Sequence, residues 1–201
     1  EPHHYRSRVF WQGEYFIQDI GRRGSYDEKY FDQARFDYPE ASSVGHNVVL
    51  VNGEKQISGK NYKEAYNYDI GGEVIEFRTT ESHDYVIMDP TNAYPKEELK
   101  KWRRHVVLDK PNVTLVLDEI DAAPGSNIEV RFHPGVEYAI EDEFVLLEGK
   151  EGKMALIPLI DQNFALTPGK HASQFVHGTK SFDWLYYFGT GYCLRFKRTD
   201  R

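Results

Sequence analysis

The chain has 201 residues, 40% of them hydrophobic and 14% aromatic, which is enough for one good core and too apolar for a disordered chain. Its formal net charge of −7 gives no overall basic field for nucleic acid, so an acidic polymer would have to be met by a local cluster of Arg, Lys and His. A single cysteine, Cys193, excludes an intrachain disulfide, and no apolar run approaches the roughly 18–20 residues that span a bilayer.

In chain order, residues 6–11 and 15–19 predict a hairpin around Gln12-Gly13-Glu14. Residues 21–43 form a long polar segment, and loops beyond about 15 residues are usually functional or disordered. Its aromatics, Tyr26, Tyr30, Phe31, Phe36 and Tyr38, predict that it is ordered and packed. The chain is organised around residues 45–56, in which a buried strand over 47–51 ends in an Asn52-Gly53 turn. Residues 74–79 and 85–88 read as strands. Residues 95–102 predict one short connector helix, with Pro95 in its first turn and acids before bases.

Residues 104–108 and 113–118 flank a Lys110-Pro111-Asn112 turn. After a Pro-Gly loop at 121–126, strands are expected at 128–133, 136–140, 144–148, 154–159, 184–188 and 193–197. Residues 161–180 are polar and predict a loop over a sheet edge. Turn residues every 8–12 positions or so are the mark of a sandwich. The expectation is one domain over residues 1–201, an all-β, antiparallel two-sheet β-sandwich with one short helix.

Two constellations carry chemistry. His3, His4, Asp19 and His46 offer the nitrogen and carboxylate donors of a zinc-type site. The hairpin puts Asp19 near the strand that follows the histidines, and adjacent strand residues face opposite ways, so one of His3 and His4 can share the site. The plainer alternative is a simple Asp19–His46 hydrogen bond, with the terminal histidines uninvolved. Arg22, Arg23, Arg35 and Tyr38 in the long segment, with Asn47 beside His46, could meet an anionic substrate. Here the alternative is solvated charge for the arginines and core packing for Tyr38. His105 and His133 sit in apolar strands and read as packing residues, as do Trp11, Trp102 and Trp184. His171 and His177 receive no role.

Several of these elements occur together in one known family. Gly13-Glu14, Asp19-Ile20-Gly21, Arg35, Tyr38, Ser42-Ser43, the run from His46-Asn47 to Gln56, Arg104-His105 and Phe132-His133-Pro134 resemble the C-terminal β-sandwich of heparinase II/III-like polysaccharide lyases. The resemblance implies a supersandwich-like domain of an enzyme that cleaves uronate-containing polysaccharide by β-elimination. It implies a preceding helical toroid that supplies part of the active site, and hence little activity from these residues alone. It implies His3 as a catalytic histidine, and Arg22, Arg23, Arg35, Tyr38 and Asn47 as substrate contacts. It also implies a structural zinc held by His4, Asp19 and His46, and a periplasmic or secreted parent acting on an acidic polysaccharide. Two departures stand out: the family's His-x-His is here the adjacent pair His3-His4, and the Arg that commonly precedes the Ser pair is Ala41. They leave open a non-catalytic carbohydrate-binding or structural sandwich.

Overall fold

A computed structural model describes residues 8–20, 28–57, 70–142, 144–159, 165–175 and 178–190. Its strands are, in chain order, β1 (Val9–Trp11), β2 (Glu14–Ile17), β3 (Val49–Val51), β4 (Glu73–Thr79), β5 (His83–Asp89), β6 (Leu99–Asp109) and β7 (Val113–Ala122). They continue with β8 (Asn127–Phe132), β9 (Glu137–Ile140), β10 (Val145–Glu148), β11 (Lys153–Leu156), β12 (Ala165–Phe175) and β13 (Gly178–Thr190). All pairings are antiparallel. The spatial orders are β1-β2, β11-β10-β9, β12-β13-β8-β3 and β4-β5-β6-β7. This is the all-β sandwich that the turn spacing predicts.

Two turns, one before β2 and one after β3, follow from local sequence. Gln12-Gly13 and Asn52-Gly53 both have positive φ at both residues (47° and 86°, 55° and 76°). That is the hairpin turn whose twist matches the strands it joins, and Asn-Gly is its preferred pair. The organising strand is shorter than the apolar run: only Val49–Val51 joins the ladder. The run is buried throughout, without alternation, because it is enclosed on both sides. Val48, Val49, Leu50 and Val51 share one core with Ala93, Tyr94, Leu99, Trp102 and Ile120. β3 therefore packs against β6 and β7 of the other four-stranded sheet.

Among the described residues β3 is also the edge strand of its sheet, and an open edge needs covering. Tyr94 Oη donates to the Val49 carbonyl at 2.5 Å. Burial pushes the Tyr94 phenol well above its ordinary range, so the hydroxyl stays a donor. Gln56 Nε2 donates to Tyr94 Oη at 3.1 Å, and the Gln56 amide donates to Ser43 Oγ at 2.9 Å. A second core joins Phe16, Ile17, Phe132, Val145 and Leu147. Beside it, Glu14 Oε2 accepts the backbone amides of Lys150 and Glu151 at 2.7 and 3.2 Å, which fixes the β10–β11 turn on the first hairpin.

Residues 28–45 are a chain of 3₁₀ turns, over Glu28–Phe31, Gln33–Asp37, Pro39–Ala41 and Ser43–Gly45. Tyr30 and Phe36 are buried, so this part of the long segment is ordered and packed, as its aromatics predict. Two other expectations are corrected. Residues 95–102 do not form a helix, and the described residues contain no α-helix. One helical bond forms, Leu99 N to Pro95 O at 3.0 Å, and then the chain enters β6. From there Leu99, Trp102 and Arg104 are buried while Lys100 is exposed, and β6 pairs on both edges, with β5 and β7. Two ladders and a buried face outweigh a weak local helix preference.

The polar stretch 161–180 is the second correction, since β12 pairs with β13 from Ala165↔Phe188 to Phe175↔Gly178. A long hairpin satisfies backbone groups whatever its side chains, so polarity was a poor guide. The predicted strand 184–188 lies within β13, while 193–197 and Cys193 lie outside the described residues. Among the described residues, no helix is long and apolar enough to cross a membrane.

Candidate functional site

Asp19 leaves β2 and His46 enters β3, so each sits just beyond a strand anchored in a core. β2 is held by Phe16 and Ile17, β3 by its whole apolar run. The chain reaches His46 through Gly45, where an added Cβ would stand 2.2 Å from the Pro39 carbonyl oxygen and 2.6 Å from Ile20 Cδ1. Only glycine allows that approach. The result is a direct hydrogen bond between His46 Nδ1 and Asp19 Oδ1, with both residues buried. Arg8 Nη2 lies 3.7 Å from Asp19 Oδ2. A carboxylate on Nδ1 fixes the imidazole's orientation and favours the tautomer that leaves Nε2 as the acceptor.

The family resemblance implies that Asn47 touches substrate. The residue is 1% exposed and turned into the protein. Its Nδ2 donates to the Gln18 carbonyl at 3.0 Å, and its Oδ1 accepts the His133 backbone amide at 2.8 Å. His133 lies with Nδ1 3.1 Å from Asn47 Oδ1 and Nε2 3.2 Å from the Val44 carbonyl. His133 is thus the buried packing histidine that its strand predicts. The Asn47 side chain is thus engaged by backbone partners inside the domain.

The sequence reading missed the group behind Asn47. Arg104 on β6 sits opposite Asp118 on β7 and binds it through both nitrogens of a fork, Nε to Oδ1 at 2.7 Å and Nη2 to Oδ2 at 2.8 Å. Trp102 Nε1 donates to the same Asp118 Oδ1 at 2.7 Å. The remaining Arg104 nitrogen, Nη1, donates to the Asn47 carbonyl at 2.5 Å. A signal for this pair existed, because Arg104 and Asp118 stand at equal distances on either side of Pro111, the centre of the predicted turn. Arg131 is a further buried cation, bonded to Glu129 and, through Nη1, to the Val44 carbonyl at 2.9 Å.

The Arg and Tyr set is only partly assembled in the described residues. Arg35 lies over the Tyr30 ring, 4.3 Å from its centroid, and Tyr30 stacks on Tyr38 at 5.9 Å. Both Arg35 and Tyr38 are half-buried, so the packing alternative for Tyr38 has support. Lys55 ties the segment to the Asn52-Gly53 turn through the Phe36 carbonyl at 2.6 Å. His3, His4, Arg22 and Arg23 lie outside the described residues. Among the described residues, no three His, Cys, Asp or Glu side chains are grouped to hold a metal ion. Asp19 and His46 supply two donors of suitable type, already facing one another.

The description of the family that matches residues 8–180 is "Heparinase II/III-like, C-terminal". The chain belongs to this family. It is therefore a heparinase II/III-like C-terminal domain, of a polysaccharide lyase family. Solved structures share its fold. A heparinase III with methylated lysines aligns over 92% of this chain with a TM-score of 0.71 and 12% identity. The heparan sulfate lyase HepC from Pedobacter heparinus aligns over 94% with a TM-score of 0.67 and 14% identity. This heparinase II/III-like chain spans 27% and 28% of those two chains. Among curated proteins nothing matches.

Proposed function

We propose that this heparinase II/III-like domain serves a lyase that cleaves uronate-containing polysaccharide by β-elimination, and that it needs a helical toroid domain to do so. In such a reaction a base takes the proton at C5 and the C4–O bond breaks. A C4=C5 double bond forms, and an acid protonates the leaving oxygen. The uronate carboxylate must be neutralised for the C5 proton to become acidic. The observation that carries the reading is the buried Asp19–His46 bond, lying at the two family elements Asp-x-Gly and His-Asn.

In this reading His3 transfers a proton, and Arg22, Arg23, Arg35 and Tyr38 meet the anionic polymer. His4, Asp19 and His46 hold a structural zinc. That ion would neutralise the buried carboxylate and tie the exit of β2 to the entry of β3. The parent acts on its polymer in the periplasm or outside the cell. The similar structures are a heparinase III and a heparan sulfate lyase by title, which supports an acidic glycan as the substrate class.

Two measurements test this. Elemental analysis of the purified chain should find about one zinc per chain, lost in both Asp19→Ala and His46→Ala. Metal-free wild-type protein would remove the zinc. Ultraviolet absorbance of unsaturated uronate should stay flat when the chain alone meets heparan sulfate, alginate or hyaluronan, and rise when it is joined to a toroid. Cleavage by the chain alone would overturn the division of labour. Binding without cleavage in the joined form would favour a carbohydrate-binding sandwich.

A further inference from the structure

Asp19 and His46 come from separate parts of the chain, and something must hold them in register. Neither residue's own strand does so directly: β2 lies in a two-stranded sheet with β1, while β3 pairs with β8. The two segments meet by way of the chain that runs on from β8, bridged to β2 at Ile17↔Pro134 and by Gly135 N to Phe16 O at 3.0 Å. The one side chain that ties all of them together is that of Asn47, next to His46. Asn47 Nδ2 donates to the carbonyl of Gln18, the residue before Asp19. Asn47 Oδ1 accepts the backbone amide of His133, and the Gln18 amide in turn donates to the His133 carbonyl at 2.9 Å. One amide side chain therefore joins three backbones beside the pair.

The orientation of that amide is set by its partners. A backbone N–H can only donate and a backbone carbonyl can only accept, so Oδ1 must face His133 and Nδ2 must face Gln18. Aspartate, the same shape, would place an acceptor against the Gln18 carbonyl. Behind Asn47, Arg104 Nη1 holds the Asn47 carbonyl at 2.5 Å. Arg104 is itself clamped by Asp118 at 2.7 and 2.8 Å. The Asn47–Val48 peptide is thus fixed from the opposite sheet.

We propose that Asn47 is a positioning residue, holding the Asp19 and His46 segments together, and that Arg104 on the opposite sheet sets the backbone from which it does so. The inference deepens the reading of Asp19 and His46 as the site and rests on it. The pair is then a product of the sandwich packing rather than of the loops that bear it. Asn47 acts on the site through Gln18 and the peptide backbone, and contributes no contact to a polymer.

The test follows the His46 ring in the full 201-residue chain after chelator treatment, by nitrogen-15 NMR of labelled histidine. Wild type should show His46 as the Nδ1–H tautomer with a slowly exchanging proton. Asn47→Asp and Arg104→Lys should each speed that exchange by about tenfold or more, at temperatures where the chain is still folded. Leu99→Ala empties core volume on β6 without touching these hydrogen bonds, and should leave the His46 signal in place. Unchanged His46 exchange in Arg104→Lys, or an equal response in Leu99→Ala, overturns the proposal, the second because the effect would then be general loosening. If Asn47→Asp does not fold, Arg104→Lys decides alone. Neither substrate nor metal enters this readout, so absent lyase activity would refute the functional reading and leave this result standing.

Discussion

Arg103 and Arg104 are neighbours on β6, and each is paired with an aspartate, yet they belong to different environments. Arg103 Nε meets Asp89 at 3.0 Å with 41% and 17% of the two side chains exposed, while Arg104 and Asp118 are 3% and 11% exposed. Successive strand residues face opposite ways, so one arginine lies on the open face of the four-stranded sheet and the other faces β3. On the open face Lys101 is bonded to Glu119, and Tyr85 Oη lies 2.9 Å from His105 Nδ1. On the inner face Arg104 holds the Asn47 carbonyl. The same residue types yield solvated charge on one face and a structural anchor on the other, so burial decides what an ion pair is worth.

The widest contrast should come from removing the two kinds of cation. Arg104→Met leaves Asp118 enclosed without its fork, and should cost about 3–5 kcal/mol, the usual penalty for a buried charge that loses its partner. Urea denaturation would measure it, and a loss no larger than that of Arg103→Met would erase the distinction between the faces. A smaller effect is expected at the covered edge of β3. Tyr94→Phe removes the donor to the Val49 carbonyl and should cost about 1–3 kcal/mol, the penalty for a buried acceptor left unsatisfied. No change there would mean that the edge is covered by packing alone.

The smallest effect belongs to the open face. Lys101→Ala should cost less than about 1 kcal/mol, and less still at high salt, because both side chains of the pair are partly solvated. Its clearer signature is in titration. The hydrogen bond from Lys101 holds the Glu119 carboxyl below its ordinary 4.5, against the opposing effect of burial. A depressed folded pKa gives a contribution present above the unfolded value and lost as the pH falls through the folded one. Lys101→Ala should therefore move the Glu119 midpoint up toward 4.5 and remove that acid-side loss. A midpoint unmoved by the substitution would show that Lys101 is not its cause.

Local signals in the chain were strong where one residue has one physical consequence. Asn52-Gly53 and Gln12-Gly13 are turns because both positions of each need positive φ. The apolar run at 48–51 is buried because nothing else can accommodate it. The segment 95–102 was misleading because its helix signals extend over one turn, whereas the pairing that makes β6 a strand comes from residues far along the chain on both sides. The site divides in the same way. Asp19 and His46 form the hydrogen bond that is the plainer of the two sequence readings. Asn47 reads in the sequence as a substrate contact because an Asn beside a candidate ligand can neutralise a uronate carboxylate, and nothing local shows that its side chain turns inward.

By itself, then, the sequence determined strand rhythm, turn positions, the all-β class and the family, since each depends on local residue types in order. Tertiary structure decided which polar side chains face inward. Asn47 became a link between backbones because Gln18 and His133 converge on it from just beyond the ends of β2 and β8. Arg104 became an anchor, and Arg103 did not, because β3 packs on one face of β6 alone. Desolvation and partner geometry set those outcomes, and both exist only once the sheets have come together.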